Sequence, residues 1–430
     1  MQASGRDLRR LWIAALGVFL LAGSTGALNR FWLAYGFPAG LQFVNVRHAH
    51  SHLMYFGWVT PALMALIATR LPPLIGRTPS PWIRRTIGAT LGLALLAYPP
   101  FLLFGYSVAE IGGRRLPLSV ITASLNILAW YTFIALYLRT TWGVPRSRPL
   151  RLWDAALAFQ VLASMGAWGR GVLVGLKVTD PFLTDAAVYL FLDLFSDGWF
   201  MLALLGLAAA EYPVLSSSSG RWAMRLVIFG LPVTFLLGVP VSLVPTAVRL
   251  VAGLGGILVA LGLLGGIWVL WPAVSRRPGT TWRVPLVFLG IKALAEFGIA
   301  VPSVALWAEQ VGLRISYLHW LLLGFVTLGV LAAAKDAWGP ATVRGSGWMT
   351  AGVILLIATL LPLTALWPAA WGGRWTLRAA AAAAWAPVAA ATWMVVQTTL
   401  LPPVSDPARW LQPPVDPADE APVRLRSLHM

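Results

Sequence analysis

Long apolar stretches separated by short polar segments recur along almost the whole chain, and each is long enough to cross a hydrocarbon core of about 30 Å as a helix. The pattern predicts twelve such helices, at residues 9–29, 48–69, 85–106, 117–138, 152–175, 187–210, 222–243, 248–271, 284–307, 314–334, 346–368 and 377–400, with ends good to about four residues. The fold class that follows is an all-α integral membrane protein with no sizeable soluble domain. Residues 1–401 make up the polytopic membrane domain. After Leu401 the composition turns to Pro, Asp and Arg (Pro402, Pro403, Pro407, Pro413, Pro414, Pro417), so residues 402–430 read as a disordered tail. The run Ala379–Ala384 offers a small-residue face for close helix packing, and no internal repeat is evident.

The polar segments differ in charge from one side to the other. With the first helix entering from the cytoplasm, Arg6, Arg9, Arg10, Arg70, Arg77, Arg84, Arg85, Arg139, Arg146, Arg148 and Arg151 fall on the inner side. Arg221, Arg225, Arg276, Arg277, Arg283, Lys335, Arg344, Arg409, Arg424 and Arg426 join them, which puts about 21 of the 32 basic residues inside, as the positive-inside rule requires. Both termini are then cytoplasmic, in a bacterial-type cytoplasmic membrane. The first stretch, with basic residues, an apolar run and the small residues Ala22–Ala27 in order, also has the layout of a signal peptide. A retained helix is the reading adopted, because cleavage would leave an odd helix count with the tail still inside.

Composition supports the bilayer as solvent: 58% of residues are hydrophobic and only 11% charged. The 23 tryptophans fit headgroup-level positions, where an indole has one apolar and one wet end. A net charge of +17 would point to nucleic acid in a soluble protein, but here the cations lie in short segments between apolar stretches, so no nucleic-acid partner is expected. The absence of cysteine excludes disulfides, all-thiolate iron–sulfur clusters, thioether-linked haem and Cys-ligated zinc. A metal here is held by His, carboxylate, Tyr or Met.

Of five histidines, three are packed into Arg47-His48-Ala49-His50-Ser51-His52 at the mouth of the second helix, and His319 lies near the start of the tenth. An imidazole in a membrane helix is costly and usually functional, although a hydrogen-bonded interfacial histidine is the plainer alternative. Both helices start on the same outer face, marked by Arg47 and Arg314. His50 lies three residues below the first arginine and His319 five below the second, so the two rings are within about 3 Å of one depth. Two histidines at one depth on different helices can clamp a haem iron axially. Positions 48 and 52 share a helix face and position 50 points nearly opposite, so the triplet cannot converge on one metal. Either His50 ligates alone from this helix, or His48 and His52 chelate elsewhere.

The stretch AHSHLMYFGWVTP (Ala49–Pro61) resembles the second helix of haem-copper oxidase subunit I, where an Ala-His-x-x-x-Met pattern carries a low-spin haem ligand. That resemblance implies His50 as the ligand and Met54 as its companion. YLHWLLLGF (Tyr317–Phe325) is similar to the tenth helix of that family, whose His-x-His pair serves the active-site haem and then the low-spin haem. His319 takes the second place and Tyr317 stands where the first would be. Haem propionates need cationic partners on the outer face: Arg47 is adjacent to the implied ligand, and Arg374, between the last two helices, sits where the family keeps propionate-binding arginines. The departure is in the sixth and seventh helices, which carry the family's copper histidines and here contain none. The implied cofactor is a low-spin, bis-histidine b-type haem without copper, unless Tyr317 ligates a second haem and Asp193 and Asp197 form a hard-metal site. The segment HAHSHLMYFGW also resembles NnrS-like proteins of nitric oxide metabolism.

Four ionisable residues fall inside apolar stretches: Asp193 and Asp197 in the sixth, Lys292 and Glu296 in the ninth. Each pair has i, i+4 spacing and shares a helix face. Lys292 and Glu296 form a structural ion pair or belong to a proton path or cation site. The two aspartates lack a basic partner in their own helix, so they bind a cation, meet Lys292 or Arg170 across the bundle, or hold protons. The expected function is electron transfer or redox sensing by a membrane haem, with a cytochrome or quinone as partner. Catalysis as an oxidoreductase would need a five-coordinate haem or an exchangeable ligand, as would an NnrS-like nitric oxide response. The rival is a proton-coupled secondary transporter, which calls for inverted repeats and broken helices, neither of which the pattern reveals.

Overall fold

A computed structural model describes residues 2–400; the expected Pro-rich tail, with Arg409, Arg424 and Arg426, lies outside the described residues. Among the described residues, eleven helices are long and apolar enough to cross a membrane. They are span 1 (Gly5–Tyr35), span 2 (Phe43–Ile75), span 3 (Pro81–Phe104), span 4 (Leu118–Thr141), span 5 (Arg148–Gly175) and span 6 (Pro181–Glu211). Span 7 (Ser218–Gly238), span 8 (Thr246–Arg276), span 10 (Arg314–Trp338), span 11 (Pro340–Leu363) and span 12 (Arg374–Thr399) follow. The multi-pass all-α fold read from the apolar pattern is therefore present, with twelve segments in the expected order. Helix starts follow local chemistry. Asp180 caps span 6 by accepting from Leu183 N at 2.8 Å, and Pro181 fills the first helical position, where a missing N–H costs nothing. Between spans 3 and 4 the chain adds a short hairpin, β1 (Ala109–Ile111) against β2 (Arg114–Leu116). It turns at Gly112 and Gly113 with φ of 56° and 76°, the left-handed geometry a two-residue hairpin loop requires.

Span 9 is the departure. The pattern predicted one helix over 284–307, but Arg283–Ile299 ends and Pro302–Gln310 leaves at 113° to it. Pro302 forces Val301 into an extended conformation (φ −86°, ψ 119°), which ends the first helix. The carbonyls so freed need donors inside an apolar phase. Arg249 of span 8, only 3% exposed, supplies them. Its guanidinium donates to Ile299 O at 3.4 Å, and to Leu236, Leu237 and Val239 O at 3.3–3.4 Å where span 7 ends. One turn on, Gly253 lets the Ala300 carbonyl approach, since a Cβ there would lie 2.8 Å from that oxygen.

Spans 2, 6 and 10 form the buried centre, and each contains a π-helical segment: Leu53–Val59, Leu194–Met201 and Trp320–Thr327. The three are tied to one another. Tyr55 Oη and Ser196 Oγ lie 2.8 Å apart, Trp58 Nε1 donates to Thr327 Oγ1 at 3.3 Å, and Trp199 Nε1 donates to Thr60 Oγ1 at 3.4 Å. Each segment also has a glycine against a bulky neighbour: Gly57 on Val18, Gly198 on the Phe159 ring, Gly324 on the Phe288 ring. Headgroup-level placement holds for part of the tryptophans, since Trp82, Trp142, Trp222, Trp371 and Trp375 are exposed near span ends, whereas Trp12, Trp58, Trp130, Trp153, Trp199 and Trp282 depart from it: they are fully buried and fill the space between spans. Their N–H groups find interior partners where geometry allows, as Trp153 does at Ala203 O, 3.2 Å away.

Replacing Arg249 by Leu removes the donor for four buried carbonyls. A stability loss of about 2–4 kcal/mol is expected, read as a lower unfolding midpoint in detergent micelles. Arg249→Lys should recover only part of it, because a single ammonium cannot fan across two helix ends.

Candidate functional site

His50 lies on the face of span 2 that meets span 1. Its Nδ1 is 2.7 Å from Ala22 O, and a Cβ on Gly26, one turn further along span 1, would sit 2.6 Å from its Cε1. The bare glycine therefore makes room for the ring. Nδ1 donates to the carbonyl, which fixes the tautomer and leaves Nε2 as a lone-pair acceptor. His319 repeats the device within its own helix, with Nδ1 2.7 Å from Ile315 O. Both rings are half-buried. His50 and Arg30, from spans 2 and 1, both lie within electrostatic reach of His319 on span 10.

His48 and His52 point the other way, as their spacing required. His52 stacks on Phe101 at 3.7 Å, and its Nε2 lies 3.0 Å from Tyr106 Oη, while His48 meets the edge of the Tyr106 ring at 4.8 Å. They face the end of span 3 and do not join His50. Met54, one turn below His50, is buried at the start of the first π segment. Arg47 is exposed, its guanidinium 5.6 Å from the Phe43 ring centroid. Arg374 is exposed at the first residue of span 12.

Three of the four charges in the apolar stretches assemble. Lys292, fully buried, places Nζ 3.1 Å from Asp197 Oδ2 and in contact with Glu296 Oε2. Of the alternatives for the aspartates, Asp197 meets Lys292 across the bundle; Arg170 is not its partner. Asp193, one turn earlier, abuts Gly238 of span 7, where a Cβ would lie 2.6 Å from Asp193 Oδ2. Tyr317 has Asp193, Asp197, Glu296 and Tyr55 within electrostatic reach. Among the described residues no group of three or more His, Cys, Asp or Glu side chains is arranged to hold a metal ion, which corrects the hard-metal alternative at Asp193 and Asp197. Asp197 is occupied by an ammonium instead.

Sequence reasoning missed Arg30, Gly26 and Tyr106. Arg30 had a signal, an arginine closing an otherwise apolar helix, whereas the partners of Gly26 and Tyr106 are distant in sequence. It also missed the π segments, although each carries glycine followed by an aromatic: Gly57-Trp58, Gly198-Trp199, Gly324-Phe325.

No protein family matches the chain, and no curated protein does. A solved structure does: a heme-copper terminal oxidase dimer determined by cryo-EM, at a TM-score of 0.72 over 94% of this chain and 85% of that one. The identity is 12%, so the likeness is one of fold. The chain has the haem-copper oxidase subunit I-like fold that the resemblance of its second and tenth helices implied.

Lys292→Met is expected to be the most damaging single change at the charged cluster, costing about 3–5 kcal/mol by leaving two buried carboxylates unpaired. Combining it with Asp197→Asn and Glu296→Gln should restore most of that stability. Thermal unfolding of the single and triple variants compares the two.

Proposed function

We propose that the chain is a membrane b-type haem protein in which His50 and His319 hold one iron from opposite sides and which moves electrons without a copper centre. The observation that carries this reading is the pair of Nδ1 tethers. Each imidazole donates to a main-chain carbonyl at 2.7 Å and keeps Nε2 uncommitted, and a metal-ligating histidine is oriented by the same kind of bond from its other ring nitrogen. The residues present fit the group: room at Gly26 for the His50 ring in its tethered orientation, two half-buried imidazoles on different spans, and the cations Arg30, Arg47 and Arg374 available to propionates. When bound, a bis-histidine haem supplies a one-electron iron couple with both axial positions filled. The protein's part is to orient the rings, exclude water with the π-helical core and balance propionate charge. A cytochrome or quinone is the partner this chemistry calls for, in a cytoplasmic membrane with both termini inside.

One observation favours a second reading, proton-coupled transport. Span 9 breaks four residues after Glu296, and a broken helix beside buried ionisable groups is a feature of secondary transporters.

An absorption spectrum of the purified protein separates them. A sharp reduced alpha band, unmoved by carbon monoxide, is expected; a band that shifts with carbon monoxide would mean an open site of the NnrS-like kind, and no Soret band would leave transport. His50→Ala and His319→Ala should each abolish the low-spin signal, while His52→Ala keeps it. Gly26→Ala should lower haem affinity about tenfold or more by displacing the His50 ring from its tether.

A further inference from the structure

Along span 6 the residues Asp185, Tyr189, Asp193 and Asp197 recur at every fourth position. The helix is α through Asp193 and π from Leu194. Four residues slightly overshoot one α turn and slightly undershoot one π turn, so the drift partly cancels and all four share one face over about 18 Å. Burial changes along that face. Asp185 is half-buried at the surface where the histidine-bearing spans begin, and Asp197, 6% exposed, is in the core. At the mouth, Arg314 of span 10 lies 4.3 Å from the centroid of the Tyr189 ring and within electrostatic reach of Asp185 and Tyr55. Midway, Gly238 of span 7 lets Tyr189 and Asp193 pack directly on its backbone, each within 2.6 Å of where its Cβ would be. At the inner end Asp197 gives Oδ2 to Lys292, while its Oδ1 is buried with no hydrogen-bond partner.

The charge count decides what this row can be. Neutralising Lys292 takes one carboxylate, yet Asp197 Oδ2 at 3.1 Å and Glu296 Oε2 both meet it, with Asp193 one turn from Asp197. A purely structural ion pair would not bring two carboxylates to one ammonium in a medium where each extra charge costs kilocalories. The remaining negative charge is met by protons or by a cation, and no three-ligand metal cluster exists among the described residues.

We infer that Asp185, Asp193 and Asp197 form a proton ladder on one face of span 6, opening on the histidine-bearing surface and ending at Lys292 and Glu296. A proton from water enters at Asp185, crosses the two turns past Tyr189 on water molecules, about 12 Å, to Asp193, moves on to the Asp197 or Glu296 carboxylate and returns by the same route. Only O–H bonds are made and broken. Asp193 is the relay, the one carboxylate between mouth and cluster. Arg314 at the entrance and Lys292 at the end set the local field, with the Tyr55 and Tyr317 hydroxyl groups flanking from spans 2 and 10. The ladder does not depend on iron at His50 and His319.

The test is infrared spectroscopy of the full-length protein in lipid nanodiscs, transferred from H2O to D2O at neutral pH. Wild type should show a protonated-carboxyl C=O band that downshifts rapidly, and Asp197→Asn or Glu296→Gln should remove or diminish it. Asp193→Asn, nearly isosteric, should keep the band but slow its exchange about tenfold or more, as expected where a relay's loss raises the barrier by about 1.4 kcal/mol or more. Gly238→Ala, which keeps every carboxyl but pushes Asp193 and Tyr189 from their places, should slow it too. No carboxyl band in the wild type, or exchange at the wild-type rate in both Asp193→Asn and Gly238→Ala, overturns the ladder.

Discussion

The contacts that join the π-helical segments of spans 2, 6 and 10 fix the geometry on which the rest depends. In a bilayer there is no hydrophobic force to press helices together, so packing and interhelical hydrogen bonds must do it. Tyr55 to Ser196, Trp58 to Thr327 and Trp199 to Thr60 are such bonds, and each is flanked by a glycine that admits a neighbouring side chain. At about 0.6 kcal/mol apiece they contribute little to stability. Their effect is positional. Asp193 and His319 immediately precede their π segments and His50 lies three residues above its own, so locking the segments sets the height of all three.

Span 10 then divides two environments. Tyr317 and His319 are two residues apart, roughly 200° around the helix, so they face different neighbours. Tyr317 lies within electrostatic reach of Asp193, Asp197 and Glu296, and His319 within reach of His50 and Arg30. An imidazole at position 317 would have carboxylates near it, whereas His319 has a carbonyl tether in its own helix and a second imidazole within reach. The same short helix (Arg314–His319) therefore borders both the charged cluster and the histidine pair without mixing their chemistries.

How far the sequence was legible follows from the range of each interaction. The spans were readable because hydropathy is local, and His50, His319, Asp193, Asp197, Lys292 and Glu296 were readable because polar groups stand out in apolar stretches. That His48 and His52 turn from His50 follows from helical period alone. The Lys292–Asp197 contact was one of several possibilities, since which spans adjoin is a property of the bundle. The π segments escaped because a wider turn leaves the apolar pattern unchanged. The break in span 9 escaped although Pro302 is plain in the sequence, because proline is tolerated in membrane helices when neighbours re-satisfy the backbone. Here the neighbour is Arg249, more than fifty residues away.

The break also bears on the charged cluster. Glu296 sits in the last turn of Arg283–Ile299, where the helix dipole already places partial negative charge. A carboxylate there, in an apolar phase, is disfavoured unless positive charge stands beside it, and Lys292 supplies that charge from one turn below. Arg249 answers the other consequence of the break, the Ile299 carbonyl left without its helical donor. Ending the helix at Ile299 therefore calls for two buried cations, each with its own partner: an ammonium for the carboxylate and a guanidinium for the carbonyl.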